Sequence, residues 1–493
     1  MSQPERNGKD RSRKGVETDA QQRPAQVRDP GCETPLEYEQ ALEYVYASWQ
    51  KAAPDERWDV PDCRKRHPEF TRPWLSAPVS VPAALVTGSK GKGSTARMLS
   101  ALLNETGRCG LLTSPHLLDF RERIQLAGSM IGCSDFARFV TRVKSRLDTV
   151  SVPQGQFVSP IGIQAMAARL YFDENDAAFQ VFECGKGVQF DDVGSIPHQT
   201  AVMTPVFREH LRELGGSLEA IARDKAHILQ PGTRTLILAR QEPVVRQIIL
   251  DRAALLGVQV LEYGQDFRIS SLRRDNDGIR FDVQTPHHAY RDVFLPTLAK
   301  FQAENCALAL MAAQVMMGKP ARPAAMAGLR FAGRQEVLSR SPLWLLDACI
   351  NRESAQQLAD SLTALDVKDA LVILAVPDDK DPTQTARILA PFAGEIRICP
   401  VRSGHYRISP VQCRLLSDLE IPVTWRSSLE EALADDMPPE TSEAPGSRAV
   451  VLAGTTAFVS DVCHWLTTHP IRPTGKEPGK GGESPEKDGG YAE

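Results

Sequence analysis

Apolar and polar positions recur along this chain in two periods, and the switches between them mark its elements. The run Ala83-Ala-Leu-Val86 is short and wholly apolar, the pattern of a buried strand. It stops at Gly88-Ser-Lys-Gly-Lys-Gly-Ser-Thr95, and Met98, Leu99, Leu102 and Leu103 then recur on one helical face. Upstream, Thr34 can cap a helix whose first residue is Pro35 and whose apolar face holds Leu36, Ala41, Leu42 and Val45. Downstream, strands are predicted at Cys109–Thr113, Ala178–Glu183, Thr200–Thr204 and Thr235–Leu238. Between them the spacing predicts helices over about 135–147, 159–173 and around Leu218 to Lys225. A more β-rich stretch, about 258–296, precedes a helix near 303–317. Beyond Gly333 the alternation restarts: Leu343–Asp347 strand, Ser354–Leu365 helix, Ala370–Val376 strand. Further strands follow at Ile396–Pro400, Val423–Trp425 and Ala449–Ala453.

Strands alternating with helices predict an α/β protein with mostly parallel sheets. The pattern places one domain at 34–330 and a smaller α/β domain at 331–470. Residues 1–33 and 471–493 are polar, mixed in charge and too poor in apolar groups to offset the cost of ordering; both are expected to be disordered tails. At 493 residues, two domains are the expected number. A net charge of −4 gives no electrostatic reason for a nucleic-acid or anionic-membrane partner. Ten scattered cysteines without a C-x-x-C pair argue against a disulfide framework or zinc ribbon and fit a reducing cytosol. No apolar run of about 20 residues is present, so a cytoplasmic monomer is the expectation.

The candidate chemistry starts at the glycine-rich turn. Strand, glycine turn and helix form a phosphate cradle, because glycines let successive N–H groups point inward and the helix N-terminus adds its positive end. Gly88, Ser89, Lys90, Gly91, Lys92, Gly93, Ser94 and Thr95 would line it, with Lys92 reaching terminal phosphates and Ser94 or Thr95 offering a hydroxyl to Mg²⁺. The spacing departs from G-x-x-x-x-G-K-[ST], since Gly93 separates Lys92 from Ser94. A lysine-bearing surface turn is the alternative; the strand before and the helix after weigh against it. Ser114, Glu183 and His210 follow three further strands, on the sheet edge where α/β proteins bind ligands. A carboxylate with a hydroxyl suits Mg²⁺; a histidine nitrogen is a less usual ligand for it.

Thr87-Gly-Ser-Lys-Gly-Lys-Gly-Ser-Thr95 followed by Thr113-Ser-Pro-His-Leu-Leu-Asp-Phe-Arg-Glu-Arg-Ile124 resembles the folylpolyglutamate synthase/dihydrofolate synthase family of the Mur ligase superfamily. The resemblance continues through Glu183-Cys-Gly-Lys-Gly187, Glu209-His210, Ile221-Ala-Arg-Asp-Lys-Ala-His-Ile228, Gln302-x-x-Asn305, Gly333-Arg-Gln-Glu336, Leu346-Asp347 and Gly454-Thr-Thr-Ala-Phe-Val459. It implies a Mur ligase central-type domain carrying the phosphate loop, then a Rossmann-like domain. The implied activity is ATP-dependent amide ligation, in which a carboxylate becomes an acyl phosphate that an amino acid such as glutamate attacks. It also implies roles for single residues. Ser94 and Glu183 would lie near one Mg²⁺, and Ser114, Glu183 and His210 near another. Lys92, His210 and Lys225 would be catalytic, Lys225 as a carbamate, with a plain lysine pairing with Glu183 or Asp224 as the alternative. Asn305 would meet adenine, and Arg334 and Asp347 would complete the nucleotide site, a domain-boundary salt bridge being the other reading of that pair.

Departures from the family pattern cluster away from the nucleotide residues. Ile350 replaces a histidine in Asp347-Ala-Cys-Ile-Asn-Arg352, Gly187-Val-Gln-Phe-Asp-Asp-Val-Gly194 lacks an Arg and an Asn, Glu209 replaces Asp, Pro205 replaces Asn, and Phe301 replaces His. They imply a related ligase whose acceptor or incoming amino acid need not be folate and glutamate. The alternative is a nucleotide-binding relative with lost or altered ligase activity.

Overall fold

Every apolar run that the pattern marks as a strand enters one of two parallel-type sheets in the computed structural model. The structure describes residues 35–50, 67–211, 213–274, 278–403, 406–434 and 448–471. Thr34 and the two expected tails therefore lie outside the described residues, apart from Ile471. The chain divides into Met1–Gly31, outside that set, and a unit spanning Cys32–Glu493.

The helices α1 (Pro35–Gln50) and α2 (Arg72–Leu75) lead to β1 (Ala83–Thr87), α3 (Lys92–Asn104) and β2 (Cys109–Leu112). A hairpin follows, β3 (Ile124–Leu126) and β4 (Ser129–Met130), then α4 (Cys133–Leu147), α5 (Pro160–Glu174) and β5 (Phe179–Glu183). Next come β6 (Thr200–Met203), α6 (Leu218–Ala226), β7 (Thr235–Leu238), α7 (Pro243–Leu256) and β8 (Gln259–Glu262). These strands form one sheet in the order β4-β3-β2-β5-β1-β6-β7-β8. Its strands from β2 to β8 pair in parallel, and only β3 and β4 run against their neighbours. Because side chains alternate along a strand, β1 feeds two cores: Leu85 packs beneath α4 and α5, while Ala84 and Val86 pack toward α3.

The β-rich stretch splits. β8 completes the large sheet, whereas β9 (Arg268–Arg274), β10 (Ile279–Gln284) and β11 (Ala289–Leu295) form a separate antiparallel sheet. It covers the second core together with α8 (Phe301–Met317), whose apolar residues run round its whole circumference because it is buried on all sides.

The C-terminal elements are β12 (Glu336–Arg340), β13 (Leu343–Asp347), α9 (Arg352–Ala364), β14 (Ala370–Ala375), α10 (Pro382–Leu389), β15 (Ala393–Ile398), α11 (Val411–Leu415), β16 (Val423–Trp425), α12 (Leu429–Leu433), β17 (Val450–Gly454) and α13 (Thr456–Thr468). Their sheet runs β12-β13-β17-β14-β15-β16, parallel except for β12. The α/β class and mostly parallel sheets expected from the sequence are therefore present. Seven described cysteines are free thiols, six of them buried, while Cys133 is disulfide-bonded. Among the described residues no helix is long and apolar enough to cross a membrane.

Candidate active site

The phosphate loop is shaped by close approach on both flanks. Gly88 has φ +136°, and a Cβ there would fall 1.9 Å from Thr204 Oγ1 at the end of the neighbouring β6. Gly91, with φ +87°, would drive a Cβ to 2.5 Å from Asn305 Oδ1 on α8. Only glycine meets both the backbone conformation and the space at these two positions. The loop is pinned where it passes β6, since Ser89 N donates to Pro205 O at 2.9 Å. Lys92 folds back over it, donating to Gly88 O at 3.0 Å and Ser89 O at 3.3 Å. Lys90 is exposed and lies over the Phe207 ring at 5.7 Å. Ser94 Oγ accepts from Gln302 Nε2 at 3.0 Å, and Gln302 Oε1 accepts from Asn305 Nδ2 at 2.9 Å, so two α8 amides brace the helix start. Thr95 Oγ1 is buried without a hydrogen-bond partner.

Glu183 ends β5 beside β1 and is 4% exposed. One carboxylate oxygen accepts from Ser114 N at 2.8 Å, and both lie 3.3 Å from where a Gly93 Cβ would be. Burial pushes the Glu183 carboxyl up, against the pull of Lys92, the Ser114 amide, Arg97 and Arg334. A buried carboxylate with one oxygen free of protein donors suits Mg²⁺ beside phosphate oxygens. Among the described residues no three His, Cys, Asp or Glu side chains gather round one metal position.

His210 neighbours Glu209. It lies on the loop after β6 with φ +47°, its side chain 43% exposed and its Nε2 3.9 Å from Glu209 Oε2. Burial and the Lys186 charge hold its pKa below the usual histidine range, while Glu209 and Glu213 oppose them.

Lys225 on α6 is fully buried. Its amine donates to Gly88 O at 2.9 Å and Lys186 O at 3.2 Å and lies 3.1 Å from Glu209 Oε1. The partners weighed from the sequence, Glu183 and Asp224, are not the ones it pairs with. Asp224 instead accepts from Val188 N at 2.7 Å, and Glu209 reaches Lys225 from the loop after β6. Burial lowers the Lys225 pKa and Glu209 partly restores it.

The C-terminal sheet contributes the remaining side of the site. Asp347 ends β13 and accepts from Gln335 N at 2.8 Å. Burial pushes its carboxyl up to about 6, with Arg334, that amide and Lys90 opposing. Arg334 donates to Gly333 O at 3.0 Å and makes no ion pair within 4.0 Å, so the alternative of a boundary salt bridge to Asp347 is not formed. Its guanidinium is part-buried where the charges of both Asp347 and Glu183 reach it. The altered segment after Asp347 is used locally: Cys349 is buried and Asn351 caps α9 through Ser354 N at 3.0 Å. In the Gly187–Gly194 turn, Asp191 accepts from the Gly185 and Val193 amides and Asp192 from Thr71 Oγ1, so both acids are spent on structure.

Residues 86–313 match the Mur ligase middle domain. A folylpolyglutamate synthase of Lacticaseibacillus casei is 25% identical over 371 residues, 73% of this chain and 86% of that protein. Over most of its length the chain is similar to folylpolyglutamate synthases and dihydrofolate synthases. Solved structures share the fold of this folylpolyglutamate synthase-like chain. Mycobacterium tuberculosis folylpolyglutamate synthase complexed with ADP superposes with a TM-score of 0.73 at 23% identity, covering 89% of this chain and 100% of that one. An FPGS-AMPPCP-folate complex gives 0.70 at 23% identity, covering 87% and 99%.

Two residues that the structure brings to the site carry no local signal in the sequence. Arg97 sits on α3 beyond the loop and reads as an ordinary surface arginine, yet its charge acts on both Glu183 and Arg334. Glu209 was read as a substitution, and its pairing with Lys225 depends on two loops meeting.

Proposed function

We propose that this chain is an ATP- and Mg²⁺-dependent acid–amino-acid ligase acting on a carboxylate substrate of the folate class, with glutamate as the incoming amino acid. The observation that carries this reading is the glycine loop wedged between Thr204 and Asn305 with the buried Glu183 carboxylate against Gly93. The loop amides and Lys92 would hold the ATP phosphates, Asn305 would meet adenine, and Arg334 with Asp347 would close the nucleotide site. Ser94, Glu183, Ser114 and His210 would hold Mg²⁺, which when bound neutralises phosphate charge. A carboxylate oxygen of the substrate attacks the γ-phosphorus and ADP leaves, giving an acyl phosphate. The amine of the amino acid then attacks that carbonyl carbon; the C–N bond forms, inorganic phosphate departs, and the amine gives up a proton to solvent. Positioning and charge neutralisation supply most of the rate. One chain contributes both sides of the site, so a monomer suffices.

The names of the relatives and the folate complex of one of them support the substrate class. The departures at Ile350 and around Gly187–Gly194 make the acceptor the part to test. Purified protein is incubated with ATP, Mg²⁺, folate and pooled other carboxylates, and pooled amino acids, with ADP and new amides followed by mass spectrometry. One amide per ADP is expected. ATP binding without amide formation across the pool would instead mark a nucleotide-binding relative that has lost ligation.

A further inference from the structure

Arg123 presents an unsatisfied guanidinium at the sheet edge that carries Glu183. It closes a short turn, Phe120–Arg123, and its carbonyl accepts from Thr113 N at 2.9 Å, which sets it beside Ser114. Ser114 in turn donates its amide to Glu183, and the Glu183 charge is felt at Arg123. The partners of the guanidinium are neutral. Nε donates to His116 Nδ1 at 2.9 Å and Nη1 to Gln164 Oε1 at 3.3 Å, with the Phe120 ring 4.8 Å from Cζ. Because His116 Nδ1 accepts the Arg123 Nε–H, that ring nitrogen carries no proton and the imidazole is an uncharged acceptor.

The nearby carboxylates are engaged elsewhere. Glu122 accepts from the Leu117, Leu118 and Asp119 amides, and Asp119 takes the Arg121 guanidinium at 2.6 Å. Arginine carries five N–H donors in a planar fork. Two are used here, which leaves three, including both on Nη2. A part-buried guanidinium against an aromatic face, with neutral partners and free donors, is costly unless an anion completes it. The fork matches one group best, a carboxylate held by two parallel hydrogen bonds.

We infer that Arg123 is a specificity-determining residue that grips a carboxylate of the acceptor substrate next to the phosphate loop. The inference rests on the ligase reading for the identity of the acceptor. A purely structural role is the competing account, in which Arg123 serves to hold the 114–119 loop through His116.

The full chain is compared with Arg123→Gln and Arg123→Lys, using folate as the probe in the presence of ADP. Folate affinity by calorimetry, ATP affinity and Tm are read for each. Loss of charge-assisted bonds should weaken folate binding by about ten- to hundredfold in Arg123→Gln. Arg123→Lys, which keeps the charge and loses the fork, should fall between that variant and the native chain. ATP affinity and Tm should stay close to the native values, because no carboxylate pairs directly with the guanidinium removed. Native-like folate affinity in Arg123→Gln would overturn the assignment. So would folate affinity, ATP affinity and Tm falling together, the signature of a structural role. A native chain that binds neither folate nor any of the pooled carboxylates would overturn it as well. Arg123-dependent folate binding without amide formation would count against the ligase reading and leave this assignment standing.

Discussion

Lys92 hydrogen-bonds two carbonyls of its own loop, and neither bond lies in a core. Its amine is thus poised over the cradle, and the fold does not depend on it. Lys92→Ala should lower ligase turnover by at least about a hundredfold, as loss of a charge-stabilising donor does, with an unchanged melting curve; near-native turnover would remove Lys92 from the site. Asp347 makes a different prediction. Burial raises its carboxyl to about 6, above the ordinary value of roughly 3.9. Folding therefore favours its protonated form, whose contribution is complete below the ordinary value and is lost as pH rises through about 6. Asp347→Asn stays neutral and keeps an acceptor for the Gln335 amide. The Tm of the native chain relative to Asp347→Asn should drop between about pH 4 and pH 7, and parallel Tm curves would refute the assignment of that titration to Asp347. Lys92, Ser94 and Glu183 were legible in the sequence, because a strand ending in a glycine turn or an acid is a local pattern. Arg123 and Glu209 were not, since their meaning lies in which charges their neighbours have already used.

At the scale of elements, the phosphate loop is held by what lies beneath it. α3 packs its Met98, Leu99, Leu102 and Leu103 face into the core it shares with α8, and all four are fully buried. Leu99→Ala should destabilise the chain by about 2–5 kcal/mol through lost burial and the cavity left behind, measurable by urea denaturation; a loss well under that range would mean the core collapses around the gap. The strands and helices flanking the loop were predicted to within a few residues because each is apolar on the face it buries. α7 was missed: Pro243-Val-Val-Arg-Gln-Ile-Ile-Leu250 is rich in β-branched residues and carries a weak helical stripe, and packing beside α6 overrides that preference. The β3–β4 hairpin and the edge strand β12 were missed too, because edge strands bury too little to show a full apolar run.

For the whole molecule, the site exists only where the two large sheets meet. Thr297 Oγ1 donates to Arg334 O at 2.6 Å, and Ser460 Oγ on α13 donates to Leu117 O at 2.6 Å. Gly333 turns the chain between them with φ +60°, and a Cβ there would lie 2.5 Å from Val459 Cγ2. Gly333→Ala should cost about 1–2 kcal/mol for the backbone alone, more with the clash, and should weaken ATP binding by displacing Arg334. Gly128→Ala is the control: it shares a positive φ, +82°, but has open space around it, so it should lose a similar amount of stability with ATP affinity intact. Equal ATP affinity in the two variants would separate Gly333 from the nucleotide site.

The sequence by itself determined the α/β class, the phosphate loop and the order of the strand-end residues, because each depends on contacts a few positions apart. Tertiary structure alone decided that Lys225 pairs with Glu209, that Arg334 lies between the charges of Asp347 and Glu183, and that Arg123 is left with free donors. Those outcomes depend on burial and on the competition among charges from distant segments, which no local spacing encodes.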